Sequence, residues 1–134
     1  MSKQKIHVLV VEDDDISAPV ACTMLERLGC HVSVATDGAE AVECFRHNEY
    51  DLILMDWQMP VMDGVEATAR IRELPRGHVT PIVGTSARAG RLECLAAGMN
   101  DLIPKPFLLE KLRLALSKWT HWEDHQQTDS TSTL

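Results

Sequence analysis

Residues 52–64 read Leu-Ile-Leu-Met-Asp-Trp-Gln-Met-Pro-Val-Met-Asp-Gly, and the reading of this stretch decides the fold. With Asp51 before it, the run 51–55 (DLILM) is apolar without polar alternation, as in a parallel strand buried on both faces. Asp56 ends it, and a strand-end acid there caps nothing obvious. Asp63-Gly-Val-Glu66 then sets an acid three residues before a Glu, which resembles a capping box, and opens a helix to about Leu74. A buried strand, a short loop and a helix make one βα unit.

The same unit recurs outward in both directions. Residues 6–11 (IHVLVV) predict a buried strand, and 15–28 carry apolar residues at helical spacing, with Pro19 in the first turn and Gly29 as the C-terminal cap. Residues 31–35 form a more alternating strand suited to a sheet edge. Asp37-Gly-Ala-Glu40 repeats the capping pattern and opens a helix to about His47. Beyond the central unit, 80–86 predict the fourth strand, 89–97 the fourth helix, 100–103 the fifth strand and 108–118 an amphipathic fifth helix. Five such units predict an α/β fold, a doubly wound five-stranded parallel sheet of order 2-1-3-4-5 with right-handed crossovers. The domain is expected to span residues 1–122, with 123–134 (EDHQQTDSTSTL) expected as a polar, disordered tail.

Composition narrows the function. The 134 residues suit one domain, and 45% hydrophobic content predicts a packed core. Thirteen basic against twenty acidic residues give a net charge of −7, which argues against nucleic-acid binding and leaves metal ions or basic partners. No signal peptide and no stretch of membrane-spanning length are visible, so the expected location is cytoplasmic without membrane insertion. Cys22, Cys30, Cys44 and Cys94 lack CxxC spacing and are expected as reduced, mostly buried thiols. The six histidines share no metal spacing.

In this sheet order ligands sit beyond the carboxyl ends of the strands, between the first and third. The first strand runs into Glu12-Asp13-Asp14-Asp15 and the third into Asp56. Carboxylates gathered there repel one another, and each pKa rises unless a cation compensates. A hard divalent ion resolves this, and Mg²⁺ suits a site of one or two carboxylates, a carbonyl and waters. Some of the run, Asp14 or Asp15 above all, also suits capping of the following helix. Ser86 ends the fourth strand and Lys105 follows the fifth. An acid nucleophile, a metal pocket, a hydroxyl and an ammonium form a site for phosphoryl transfer.

The segments VLVVEDD (8–14), LILMDWQMPVMDG (52–64), PIVGTSA (81–87) and GMNDLIPKPF (98–107) run in order over about residues 6–118. In them the chain resembles the receiver domain of two-component response regulators and hybrid histidine kinases. That resemblance implies the flavodoxin-like receiver fold and a phosphorelay role. Asp56 would be the phosphoacceptor, taking its phosphoryl group from a histidine kinase or histidine phosphotransfer protein. It implies Mg²⁺ ligated by Asp13, Asp56 and the Gln58 carbonyl, with Glu12 acting through water. Ser86 would be the switch hydroxyl and Lys105 the phosphoryl-binding lysine, with a cis Lys105–Pro106 bond. Gln58 and Arg88 hold positions linked to dephosphorylation rate. Leu102 stands where the family places an aromatic switch residue. Output would run through protein contacts of the fourth helix, fifth strand and fifth helix, in a stand-alone regulator or in the receiver of a hybrid kinase.

Other classes fit less well. A flavin electron carrier needs a phosphate loop where residues 12–15 would repel phosphate. A phosphatase with an Asp nucleophile needs an acid at Gln58. A receiver degenerated to pure binding would lack one of the acids, the hydroxyl or the lysine, and all are present.

Overall fold

A computed structural model of the chain describes residues 5–123. The expected polar tail lies outside the described residues, apart from Glu123. Strands β1 (His7–Val11), β2 (His31–Ala35), β3 (Leu52–Asp56), β4 (Ile82–Ser86) and β5 (Asp101–Pro104) alternate with helices α1 (Ser17–Arg27), α2 (Gly38–His47), α3 (Gly64–Arg72), α4 (Arg91–Ala96) and α5 (Leu109–Trp119). The sheet is parallel, in the order β2-β1-β3-β4-β5. This is the architecture the sequence predicts, and β2 and β5 are its edges.

Side-chain alternation explains why both faces are covered. Val8, Val10, Leu52, Leu54, Val83 and Ile103 pack with Ala21 and Leu25 of α1 and Leu112 and Leu116 of α5. Leu9, Val11, Ile53, Met55 and Ile82 point the other way and pack with Ala41, Phe45, Ala67, Ile71 and Cys94 of α2, α3 and α4. Successive residues of one strand therefore enter opposite cores, which is why Val8–Val11 of β1 and Leu52–Met55 of β3 read as unbroken apolar runs.

Element ends differ from expectation for local reasons. α1 starts at Ser17 because Asp14 Oδ2 accepts the N–H groups of Ile16 (3.1 Å) and Ser17 (2.6 Å), so the capping acid stands before the helix. α4 starts at Arg91, two residues late, where Glu93 accepts the Gly90 N–H at 2.8 Å. β4 starts at Ile82, because the Thr80 N–H and hydroxyl both bond the Arg76 carbonyl in the preceding turn. β5 runs one residue further, to Pro104, and α5 begins and ends one residue later. α3 stops at Arg72, capped by the Glu73 and Leu74 backbone.

The two capping boxes form only half. Asp37 and Asp63 accept the N–H of Glu40 (2.8 Å) and Glu66 (2.9 Å), but neither glutamate reaches back to its cap residue. Glu40 accepts from the Thr36 N–H at 2.7 Å, and Glu66 pairs with Arg70.

Arg72 was not singled out in the sequence. Its guanidinium donates to the carbonyls of Gly77, Thr80 and Gly98 and to Asn100 Oδ1, and that oxygen also accepts the Ile82 N–H. One side chain thus ties the end of α3 to the turns entering β4 and β5, and so fixes the strands that carry Ser86 and Lys105. Among the described residues no helix is long and apolar enough to cross a membrane.

Candidate functional site

β1, β3, β4 and β5 end on the same edge of the sheet, with Asp56 in register with Thr85 and Ser86 with Pro104. Glu12 follows β1, its N–H held by the Ala35 carbonyl at 3.0 Å, and its side chain is buried. Asp56 is 6% exposed and Asp13 stands exposed at the rim. One oxygen each of Glu12, Asp13 and Asp56 lie within 4.8 Å of one another, the only such potential metal-ligating group among the described residues. Lys105 Nζ sits 2.7 Å from Glu12 Oε1 and 3.2 Å from Asp56 Oδ1. The Lys105–Pro106 peptide is cis, as expected.

Electrostatics follow from this geometry. Burial raises the Asp56 carboxyl to about 6, helped by the neighbouring Glu12 charge and opposed by Lys105. Burial alone would lower the Lys105 ammonium, but its bonds and attraction to the two acids outweigh that and raise it. Three carboxylates against one ammonium leave about two uncompensated negative charges. That imbalance and an all-oxygen donor set fit a hard divalent cation.

Ser86 shows a role beyond its expected one. Its Oγ accepts the N–H groups of Arg88 (3.0 Å) and Ala89 (2.8 Å), so the hydroxyl holds the β4–α4 loop while its own proton is left to donate. The spacing from Ser86 to the helix start was the only signal in the sequence. Gln58 and Arg88 are exposed and line the same cleft of about 970 Å³, with Ile16, Trp57 and Ala87. Leu102 does not line it; half-buried, it packs on the α2–α3–α4 side of the sheet. Trp57, beside Asp56, is half-buried, its N–H on the Thr85 carbonyl. All four cysteines are free, Cys30 and Cys94 buried and Cys22 and Cys44 half-buried. His7 and His31 lie at the opposite end of the strands, beside Tyr50 and Ser33.

A buried aspartate at the end of β3, an acidic pair after β1, a hydroxyl after β4 and a lysine after β5 thus share one rim of an α/β module. The response regulator receiver domain family matches residues 8–117, and the chain belongs to that family, the receiver domains of two-component phosphorelays. It is 38% identical to two-component response regulator 24 of Arabidopsis thaliana over 122 residues, covering 88% of this chain and 86% of that protein. It spans only 4% to 21% of the length of other curated relatives, among them hybrid histidine kinases and a transcription factor. Among solved structures, it superposes on the receiver domain of the sensor histidine kinase PA1611 of Pseudomonas aeruginosa with a TM-score of 0.82 and 40% identity, covering 87% of this chain and 98% of that one. That structure has a magnesium ion coordinated in its active site cleft. The receiver domain of the Saccharomyces cerevisiae response regulator Ssk1, solved in complex with the histidine phosphotransfer protein Ypd1, gives a TM-score of 0.78 at 28% identity, covering 90% of this chain and 92% of that one.

Proposed function

We propose that Asp56 is the phosphoacceptor of this receiver unit, residues 1–122, and that its donor is a phosphohistidine on a kinase or a phosphotransfer protein. The carrying observation is the buried Asp56 carboxylate 3.2 Å from Lys105, beside Glu12 and Asp13 and in register with the strand that ends in Ser86. In transfer, an Asp56 oxygen bonds to phosphorus while the P–N bond to the donor imidazole breaks. The imidazole leaves with the bonding pair and takes a proton from water. The Lys105 ammonium and the Ser86 hydroxyl meet the charge on the phosphoryl oxygens.

Asp13, Asp56 and the Gln58 carbonyl would hold Mg²⁺, with Glu12 through water, and the bound ion would offset charge on the phosphoryl oxygens. The Mg²⁺-bearing cleft of the PA1611 receiver and the uncompensated charge of this site support that reading. The chain then promotes only its own phosphorylation and dephosphorylation, in a cytoplasmic phosphorelay. Output passes through protein contacts of α4, β5 and α5, where Leu92, Leu95 and Leu114 are exposed. The same site serves a stand-alone regulator or a receiver segment of a hybrid kinase. Incubation with acetyl phosphate and Mg²⁺ followed by peptide mapping tests the reading: one alkali- and hydroxylamine-labile phosphoryl adduct on Asp56 is expected, and an adduct elsewhere or none would refute it.

Three further outcomes follow. Millimolar Mg²⁺ should change Trp57 fluorescence and raise the melting temperature, because the ion screens Glu12, Asp13 and Asp56 one residue from the indole. Asp13→Ala should remove both responses; a wild-type protein that shows neither has no metal site here.

Ile16 is 75% exposed at the mouth of the cleft, where a protein donor must cover it and a small phosphodonor need not. Ile16→Asp should slow transfer from a protein donor by about tenfold, a loss of about 1.4 kcal/mol, and leave acetyl phosphate labelling within about twofold. Equal slowing with both donors would place Ile16 outside the donor interface.

Gln58 and Arg88 reach the same mouth, where they set water access to the aspartyl phosphate. Arg88→Ala and Gln58→Ala should each alter the decay rate of the labelled protein; unchanged decay in both would reduce them to ordinary rim residues.

A further inference from the structure

Asp101 opens β5, an edge strand, and is buried although it carries a carboxylate. Its two oxygens face different helices. Oδ1 accepts the Leu102 N–H at 2.8 Å and pairs with Arg91, the first residue of α4, at 3.1 Å. Oδ2 accepts the indole N–H of Trp119, the last residue of α5, at 3.1 Å, and lies 3.7 Å from Lys118. Ile103, two residues on and so on the same face as Asp101, packs in the core shared with α1 and α5. The Arg91 guanidinium therefore comes from α4 to a carboxylate that is also held by α5.

The chain just before Arg91 is the loop whose Arg88 and Ala89 N–H groups are held by Ser86 Oγ. If Ser86 swings to donate to a phosphoryl group, those bonds must lengthen or re-aim, and Arg91 is the first helical residue beyond them. A largely buried carboxylate at the sheet edge that has lost one charged partner strengthens or reorients its remaining bonds. Trp119 lies three residues before Trp122, whose indole donates to the Leu28 carbonyl at the end of α1. Asp101 is thereby connected to the C-terminal end of α5 and, through the segment that follows it, to the end of α1. The side chain of Leu102, with no polar atom, offers no such connection.

We propose that Asp101 is a positioning residue that couples the β4–α4 loop to the C-terminal end of α5, through Arg91 on one oxygen and Trp119 on the other. The proposal rests on Asp56 being the phosphoacceptor. It assigns the readout of phosphorylation to a polar latch across the sheet edge and not to the side chain of Leu102.

The indole N–H resonances of Trp57, Trp119 and Trp122 in ¹⁵N-labelled protein provide the test, with Trp119→Phe assigning the second. Acetyl phosphate and Mg²⁺ are added, and mass spectrometry measures phosphoryl occupancy on the same samples. In the wild type the Trp119 resonance should shift as occupancy rises. Arg91→Ala, a surface change, and Asp101→Asn, which keeps the shape, should each cut that shift by at least half at equal occupancy. Leu102→Ala should preserve it. A Trp119 resonance that is silent in the phosphorylated wild type, or a full shift in Arg91→Ala, overturns the latch while leaving Asp56 as acceptor. Absence of any adduct on Asp56 overturns the phosphoacceptor reading, and the latch with it.

Discussion

Asp56→Asn should abolish alkali- and hydroxylamine-labile phosphorylation, by acetyl phosphate and by any phosphohistidine donor, while making the metal-free protein more stable at neutral pH. The two effects have one origin. The carboxylate is the nucleophile, and an amide of the same shape cannot form the aspartyl phosphate. That carboxylate is also buried beside Glu12, which raises its pKa from about 3.8 in the unfolded chain to about 6. The folded state therefore holds its proton more tightly than the unfolded state does. Stability from this group is fully present below about pH 4 and is lost as pH rises through about 6. At pH 7 the ionised side chain costs the metal-free fold about 1 to 3 kcal/mol, the attraction of Lys105 already included. Thermal melting of both proteins in chelator should show the variant several degrees higher at pH 7, with the gap closing by pH 4. Mg²⁺ should narrow the gap at pH 7, because it stabilises only the wild type. Stoichiometric labelling of the variant would remove Asp56 as acceptor. A variant less stable than the wild type at pH 7 would remove the buried-charge account.

Gly64→Ala should be the most damaging of the small substitutions near the site, although Gly64 touches no substrate. A β-carbon there would run into the Asp56 carbonyl oxygen, well inside van der Waals contact, and lie 3.1 Å from the Met55 side chain. Gly64 also donates its N–H to the Trp57 carbonyl at 3.1 Å, so the first turn of α3 is held against the end of β3, backbone to backbone. No side chain can swing away to relieve that contact. Either α3 retreats, which strains its packing through Ala67 and Ile71, or the strand end carrying Asp56 moves. Overpacking of this kind costs about 3 kcal/mol, and it should slow labelling by acetyl phosphate as well as lower the denaturation midpoint. Gly90→Ala is the control: its β-carbon would meet nothing nearer than Glu93 Oε1 at 3.7 Å, and its stability should stay within about 0.5 kcal/mol. Equal midpoints for Gly64→Ala and wild type would show that the close approach is not tight.

Much of this protein was legible in the chain alone, for reasons of period and spacing. Unbroken apolar runs in β1 and β3, separated by helical patterns, left a covered parallel sheet as the arrangement that buries them. That sheet order brings the acids after β1 to the end of β3. The residues 52–64 announced both the buried strand and the cap of α3, because Asp63 is the kind of side chain that satisfies free N–H groups at a helix start. Helix starts were less legible. An acid run can cap from Asp14 or ligate from Asp13, and only the folded loop shows that Asp14 turns back to the helix while Asp13 stays at the rim.

Other features were decided by tertiary contact between segments far apart in sequence. Lys105 reads as a cation near a strand end, but its bridge from Asp56 to Glu12 exists only once β5 and β1 are set on either side of β3 and β4. Arg72 and Asp101 carry no local signal at all. Each is a charged residue in an amphipathic or strand context, and each becomes a hub only because packing surrounds it with the carbonyls or donors of other elements. Period and capping chemistry act over a few residues and can be read from sequence. The pairing of a buried charge depends on which distant groups the fold brings within 3 Å or so of it, and that is settled by the packed sheet and helices alone.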